Sequence, residues 1–185
     1  RDLETPSVTV VPMGITFADG TATVDDGSMT KDEFFTRLAE DSKLPRTSQP
    51  SPASFIELFE EAADAGDEVI VITIAQKLSG TYQCASLAAA ETDAKVYIID
   101  SETATQGEAT IVREAIRLRE QGLSASRIAA ELETFKKRVR VVAIVDSLKH
   151  LQKGGRLPAA VAIVGGALGI KPVLALYDGA IHLVD

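Results

Sequence analysis

The spacing of apolar and polar positions changes several times along the chain, and each change marks an element. Residues 69–75, "VIVITIA", and 95–100, "KVYIID", are short and almost continuously apolar, with many β-branched side chains. That pattern predicts parallel strands buried on both faces. Residues 8–17, "VTVVPMGITF", are predicted as a further strand. Between these runs the period is helical. "TKDEFFTRLAE", 30–40, starts with Thr30 and Glu33 at capping-box spacing. The next helix has Ser51 as N-cap, Pro52 at its first position, an apolar stripe of Phe55, Leu58, Phe59 and Ala62, and Gly66 at its end. A third covers 107–122 and stops at Gly122; a fourth is capped by Ser124 and turns Ile128, Leu132 and Phe135 inward. Strands alternating with helices of this length predict right-handed crossovers and an α/β fold, a parallel sheet with helices on both faces.

After about residue 138 the pattern changes. Residues 139–146 read as a strand and the apolar run 157–170 as a helix, and two strand patterns then flank Asp178-Gly179, a strong hairpin signal. An antiparallel hairpin after a parallel unit predicts two domains: an N-terminal α/β domain over 1–138 and the start of a second α/β domain over 139–185. The chain stops inside the second hairpin strand, and "RDLETPSV" at its start reads as the segment after an opening strand, so a trimmed chain is expected.

Composition narrows the function classes. A net charge of −8 with no compensating basic cluster argues against a nucleic-acid surface. "FKKRVR", 135–140, is the densest basic run and is expected to be a solvated helix end. The single cysteine, Cys84, excludes an internal disulfide and fits a reducing compartment. No apolar run is long enough to span a bilayer and no signal-peptide pattern stands at the start, so a cytoplasmic location is expected. His150 and His182 lack nearby ligand spacing, so neither a metal nor another cofactor is expected.

Three stretches carry candidate chemistry. In "LPRTSQPS", 44–51, Pro45 and Pro50 stiffen a segment that offers Thr47, Ser48, Gln49 and Ser51 as hydrogen-bond donors. In "KLSGTYQCASLAAA", 77–90, Ser79 and Gly80 open a helix directly after a predicted strand. Ligands of open parallel sheets sit at such strand ends, where the first helical N–H groups lack partners and favour an anion. Ser79 adds a hydroxyl and Gly80 lets an anion come close to the backbone; a plain helix cap is the alternative for Ser79. In "KGGRLP", 153–158, a glycine turn presents Arg156, whose guanidinium matches a carboxylate or phosphate; a plain surface arginine is the alternative. "IIDSETATQG", 98–107, either joins the same rim or only forms a turn. The glycine-rich phosphate-cradling motifs are missing, which favours a carboxylate over a nucleotide. Other readings of the same positions are a sugar-phosphate binder and a hydrolase using Ser79. The hydrolase lacks a G-x-S-x-G elbow.

"TSQPS", "KLSGTY", "IIDS", "KGGR" and "GIKPVLALYDG" follow one another in the order seen in the DegV family, which this chain resembles from "DLETPSVTVVPMGITF" to its end. The resemblance implies a two-domain α/β protein, the EDD fold, that binds one long-chain fatty acid of C16–C18 length. It implies a non-catalytic carrier linked to phospholipid metabolism, which presents the acid to a separate fatty acid kinase for acyl phosphate formation. On this resemblance Thr47 and Ser79 correspond to the hydroxyls that hold the carboxylate, with Ser48 and Gly80 beside them. Arg156 corresponds to a basic residue at the head-group end, serving the carboxylate network or kinase docking. The chain departs from the family where serines often precede the "LSGT" motif: here stand Ala75 and Gln76. On this resemblance the family's opening strand and its Asp-Ser-Thr turn, apart from a tail at Asp2-Leu3, and most of its second domain are expected to lie outside this sequence.

Overall fold

The structure is a computed structural model of the 185-residue chain, and it describes residues 5, 7–41, 43–157 and 171–184. A small antiparallel sheet comes first. In it β1 (Gly14–Thr16) lies between β2 (Ala22–Val24) and β3 (Arg46–Ser48), with Ile15 opposite both Thr23 and Thr47. The strand expected over 8–17 is therefore shorter and differently paired. Pro12 has no N–H to give a ladder, so regular pairing begins only beyond it. Helix α1 (Lys31–Glu40) connects β2 to β3 and carries the predicted capping box: Thr30 accepts from the Glu33 N–H while Glu33 reaches back to the Thr30 backbone.

The parallel core follows. It alternates α2 (Pro52–Asp64), β4 (Val69–Thr73), α3 (Thr81–Ala90), β5 (Val96–Asp100), α4 (Gln106–Glu120) and α5 (Ala125–Phe135). β4 and β5 pair in parallel, from Val69 opposite Val96 to Thr73 opposite Asp100. Side chains alternate across the strands, so each face needs its own helical cover. Val69, Val71, Val96 and Ile98 meet Phe55 and Phe59 of α2 and Cys84, Ala85 and Ala88 of α3. Ile70, Ile72, Tyr97 and Ile99 meet Ile111 and Leu118 of α4 and Ile128 and Leu132 of α5. The helices thus cover both faces, as the continuous apolar strands require. Alanines on α3 let it approach the sheet closely, and the two phenylalanines fill the space that α2 leaves. Each fully buried aromatic contributes about 1.5–3 kcal/mol.

Ser51 caps α2 as predicted, accepting from the Ser54 N–H. Ser124 stands at the N-cap position of α5, but its hydroxyl pairs with that of Ser126 at 3.1 Å instead of with the helix backbone. The expected hydroxyl cap at Ser124 is thus not made.

A 3₁₀ turn (Lys136–Arg138) leads to the second sheet, ordered β6 (Val141–Ile144), β7 (Val173–Tyr177), β8 (Ala180–Val184) and antiparallel throughout. Asp178 and Gly179 form the hairpin tip with φ of 49° and 75°. Both central residues of a type I′ turn need positive φ, which is why Asp-Gly stands there. A short helix α6 (Lys149–Lys153), which the apolar pattern does not announce, precedes the glycine turn that carries Arg156. Apart from Leu157, the helix expected over 157–170 lies outside the described residues. Among the described residues, no helix is long and apolar enough to cross a membrane.

Candidate ligand site

The carboxyl ends of β4 and β5 are where the predicted stretches meet. After Thr73 the chain turns on itself, with the N–H groups of Leu78 and Ser79 both donating to the Ala75 carbonyl. α3 begins immediately afterwards, with Gly80 as its N-cap residue and no side-chain cap. The Ser79 hydroxyl is paired with the Thr81 hydroxyl at 2.9 Å. It therefore does not cap the helix. It is half-buried at the mouth of a helix start, where backbone N–H groups lack intrahelical partners.

β3 brings the "TSQPS" stretch beside this loop. Thr47 and Ser48 of the proline-flanked segment belong to a short strand, and both are exposed. Their hydroxyls make no hydrogen bond among the described residues. Ser48 pairs with Gly14, where a side chain on Gly14 would overlap the Ser48 hydroxyl. Gln49, the next residue, reaches over to α3. Its Nε2 donates to Cys84 Sγ at 2.9 Å, and its Oε1 lies where a Cβ on Gly80 would stand. The space at Gly80 that the sequence reading gives to an incoming anion is occupied here by an amide from the neighbouring strand.

The glycine turn arrives from the other side. Arg156 Nε donates to the Leu78 carbonyl at 3.1 Å, and Nη1 to the Gly154 carbonyl at 2.6 Å. Arg156 is exposed, and it touches the loop one residue before Ser79. The structure thus joins Ser79, Gly80 and Arg156 at one edge and sets β3, with Thr47 and Ser48, against the same helix start through Gln49.

Two connections here have no sequence signal. The hairpin tip of the second sheet docks on the strand ends: the Gly179 N–H donates to the Glu102 carbonyl at 2.8 Å, and Lys77 Nζ donates to the Asp178 carbonyl at 2.8 Å. The "FKKRVR" run is also more than a solvated helix end. Lys136 is only 6% exposed; it donates to the Asp100 carbonyl at 3.0 Å and pairs with Glu133 and Glu102. A buried cation is retained only with such partners. Burial works against ionisation of Glu102, but Lys137 and Lys136 outweigh it and hold the carboxyl below its ordinary range.

Asp100 and Ser101 of "IIDS" shape the turn. Asp100 Oδ1 accepts from the Gln76 and Glu102 N–H groups, and Ser101 bonds within its own turn to Thr103. Thr73 and Thr103, at these strand ends, each have a buried hydroxyl oxygen without a partner. In the first turn of α4, Glu108 is half-buried and meets no hydrogen bond or ion pair among the described residues; burial pushes its carboxyl up to about 7. Among the described residues, no group of three His, Cys, Asp or Glu side chains is placed to hold a metal ion. An open cleft of about 530 Å³ between α4 and the β6 region is lined by Gln106, Phe135, Arg138 and Val141 among others, and includes none of Thr47, Ser48, Ser79, Gly80 and Arg156.

A family model described as "Uncharacterised protein, DegV family" matches residues 1–185. The chain belongs to the DegV family. The DegV domain-containing protein TTE1491 of Caldanaerobacter subterraneus is 36% identical over 184 residues, covering 99% of this chain and 65% of that protein. A stearic acid-binding protein from Eubacterium ventriosum superposes with a TM-score of 0.87 at 33% identity, over 96% of this chain and 62% of that one. The Fatty Acid Kinase (Fak) B3 protein of Streptococcus pneumoniae, solved loaded with linoleic acid, gives a TM-score of 0.81 at 26% identity, over 95% and 63%. The chain spans just under two thirds of the length of these DegV relatives. The α/β architecture expected from the alternating pattern is the one they share.

Proposed function

We propose that this DegV chain holds the carboxylate end of one long-chain fatty acid, with Thr47 and Ser79 as hydroxyl donors and Ser48 and Gly80 beside them. The observation that carries this reading is the Ser79 hydroxyl, which serves no helix cap and lies at an anion-favouring helix start beside a strand of uncommitted hydroxyls. An ionised carboxylate leaving water needs several donors already in place. Arg156 adds positive charge at the same edge and braces the Ser79 loop through the Leu78 carbonyl. The acyl tail runs between the N-terminal α/β unit, residues 1–138, and the second unit, residues 139–185. It supplies most of the affinity, at about 0.8 kcal/mol per buried CH₂. The docking of the Asp178-Gly179 tip beside the head-group loop supports a site at that junction.

The role is carriage, with chemistry done elsewhere. A buried tail leaves only the carboxylate within reach of a partner, which suits delivery to a separate fatty acid kinase that forms an acyl phosphate. The test is organic extraction of the freshly purified protein, expressed from its whole gene, followed by gas chromatography. About one C16–C18 acid per chain is expected. A lipid-free extract from folded protein, or a phosphosugar in its place, would overturn the reading.

A further inference from the structure

We infer that Gln49 is a positioning residue that sets the spacing between the Thr47 and Ser79 hydroxyls, and that residue 80 is glycine to admit its amide. The inference rests on the head-group reading above and adds to it how the two halves of that site are held in register. Thr47 and Ser79 stand on different elements, β3 and the loop before α3. The described hydrogen bonds that touch this part of β3 are the ladder to β1 and the one from Gln49 to Cys84.

The anchor is rigid. Cys84 is 7% exposed and packs in the cluster with Phe55, Phe59, Ala85 and Ala88, so its sulfur cannot follow a moving strand. It lies one helical turn beyond Gly80, and residues four apart share a helix face. A single amide can therefore lie over Gly80 with its oxygen while its nitrogen donates to Cys84. A Cβ on residue 80 would overlap Gln49 Oε1 and come within 3.0 Å of Nε2. Gly80 has φ −75° and ψ 7°, which any residue can adopt, so nothing in its backbone calls for glycine. What a side chain there would do is push the flexible Gln49 amide aside, off its place over the helix start. Gln49 follows Thr47 by two residues, so holding its head group fixes the end of the strand that presents Thr47. Donors for a charged group act best when their geometry is set before the ligand arrives.

The experiment is a double-mutant cycle on the protein expressed from its whole gene, stripped of lipid and titrated with palmitate. Gln49→Ala and Gly80→Ala should each raise the palmitate Kd about tenfold, while the melting temperature of the ligand-free protein stays near that of wild type. The double variant should be no weaker than Gln49→Ala alone, because both changes act through one contact. Additive losses would place Gly80 in direct contact with the ligand and overturn the inference. So would Gln49→Ala with wild-type affinity in a protein whose Thr47→Val variant binds weakly. A wild type that takes up no palmitate overturns the head-group reading and this inference with it, which separates the two failures.

Discussion

Thr47→Val isolates the proposed carboxylate contact better than any other single change. Thr47 is exposed on β3, opposite Ile15, and its hydroxyl makes no hydrogen bond among the described residues. Valine keeps the β-branched shape that a strand favours. No internal partner is lost and no cavity opens, so the ligand-free protein should change in stability by less than about 0.5 kcal/mol. A hydrogen bond to a charged group contributes about 1.5–3 kcal/mol, so the fatty acid Kd should rise by about ten- to 150-fold. Ser79→Ala is a less clean probe, because it strands the buried Thr81 hydroxyl that now pairs with Ser79. Two measurements decide the matter: thermal melting of stripped and palmitate-saturated protein, and Kd by isothermal titration. The stripped melts should coincide, while the variant's ligand-induced rise at fixed palmitate should shrink as its affinity falls. Unchanged affinity would remove Thr47 from the site. A lower melting temperature in the stripped state would refute the argument that its hydroxyl serves no structural role.

Three further outcomes follow from other contacts. Arg156→Ala should weaken retention only a few-fold, because its exposed guanidinium braces the loop through one carbonyl, and should abolish acyl phosphate formation with a partner kinase, where exposed charge governs docking; kinase turnover at the wild-type rate would restrict Arg156 to the brace. Gly179→Ala should cost about 1 kcal/mol or more, since a side chain at φ 75° is strained; chemical denaturation measures it. Burial lifts the Glu108 carboxyl from 4.5 to about 7, so the folded protein holds that proton more tightly than the unfolded chain, and the penalty for ionising it appears as pH rises through this window. Glu108→Gln should therefore stabilise by about 1–2 kcal/mol at pH 8 and by far less at pH 5, read as melting temperature against pH.

The elements of the parallel core were legible in the sequence because local pattern and burial agree there. Continuous β-branched runs at 69–75 and 95–100 have a stable place only between two helical layers, and Ser51-Pro52, Gly66 and Gly122 mark helix ends by backbone chemistry that neighbours do not alter. The Asp178-Gly179 hairpin is of the same kind, since a type I′ turn selects its residues locally. The extent of the strand within 8–17 was not legible, because its partners at 22–24 and 46–48 are too short to show alternation and the second of these pairings joins residues far apart in the chain. The motifs that carry the candidate site could be read as hydroxyls and an arginine at strand ends. Their mutual arrangement could not. What the candidate hydroxyls come to lie beside is decided where Gln49 meets Cys84 and Arg156 meets Leu78, across 35 residues of chain in one case and 78 in the other. Packing of the two clusters against β4 and β5 makes that choice. Only the folded chain reveals that residue 80 lacks a side chain because an amide from β3 needs the room.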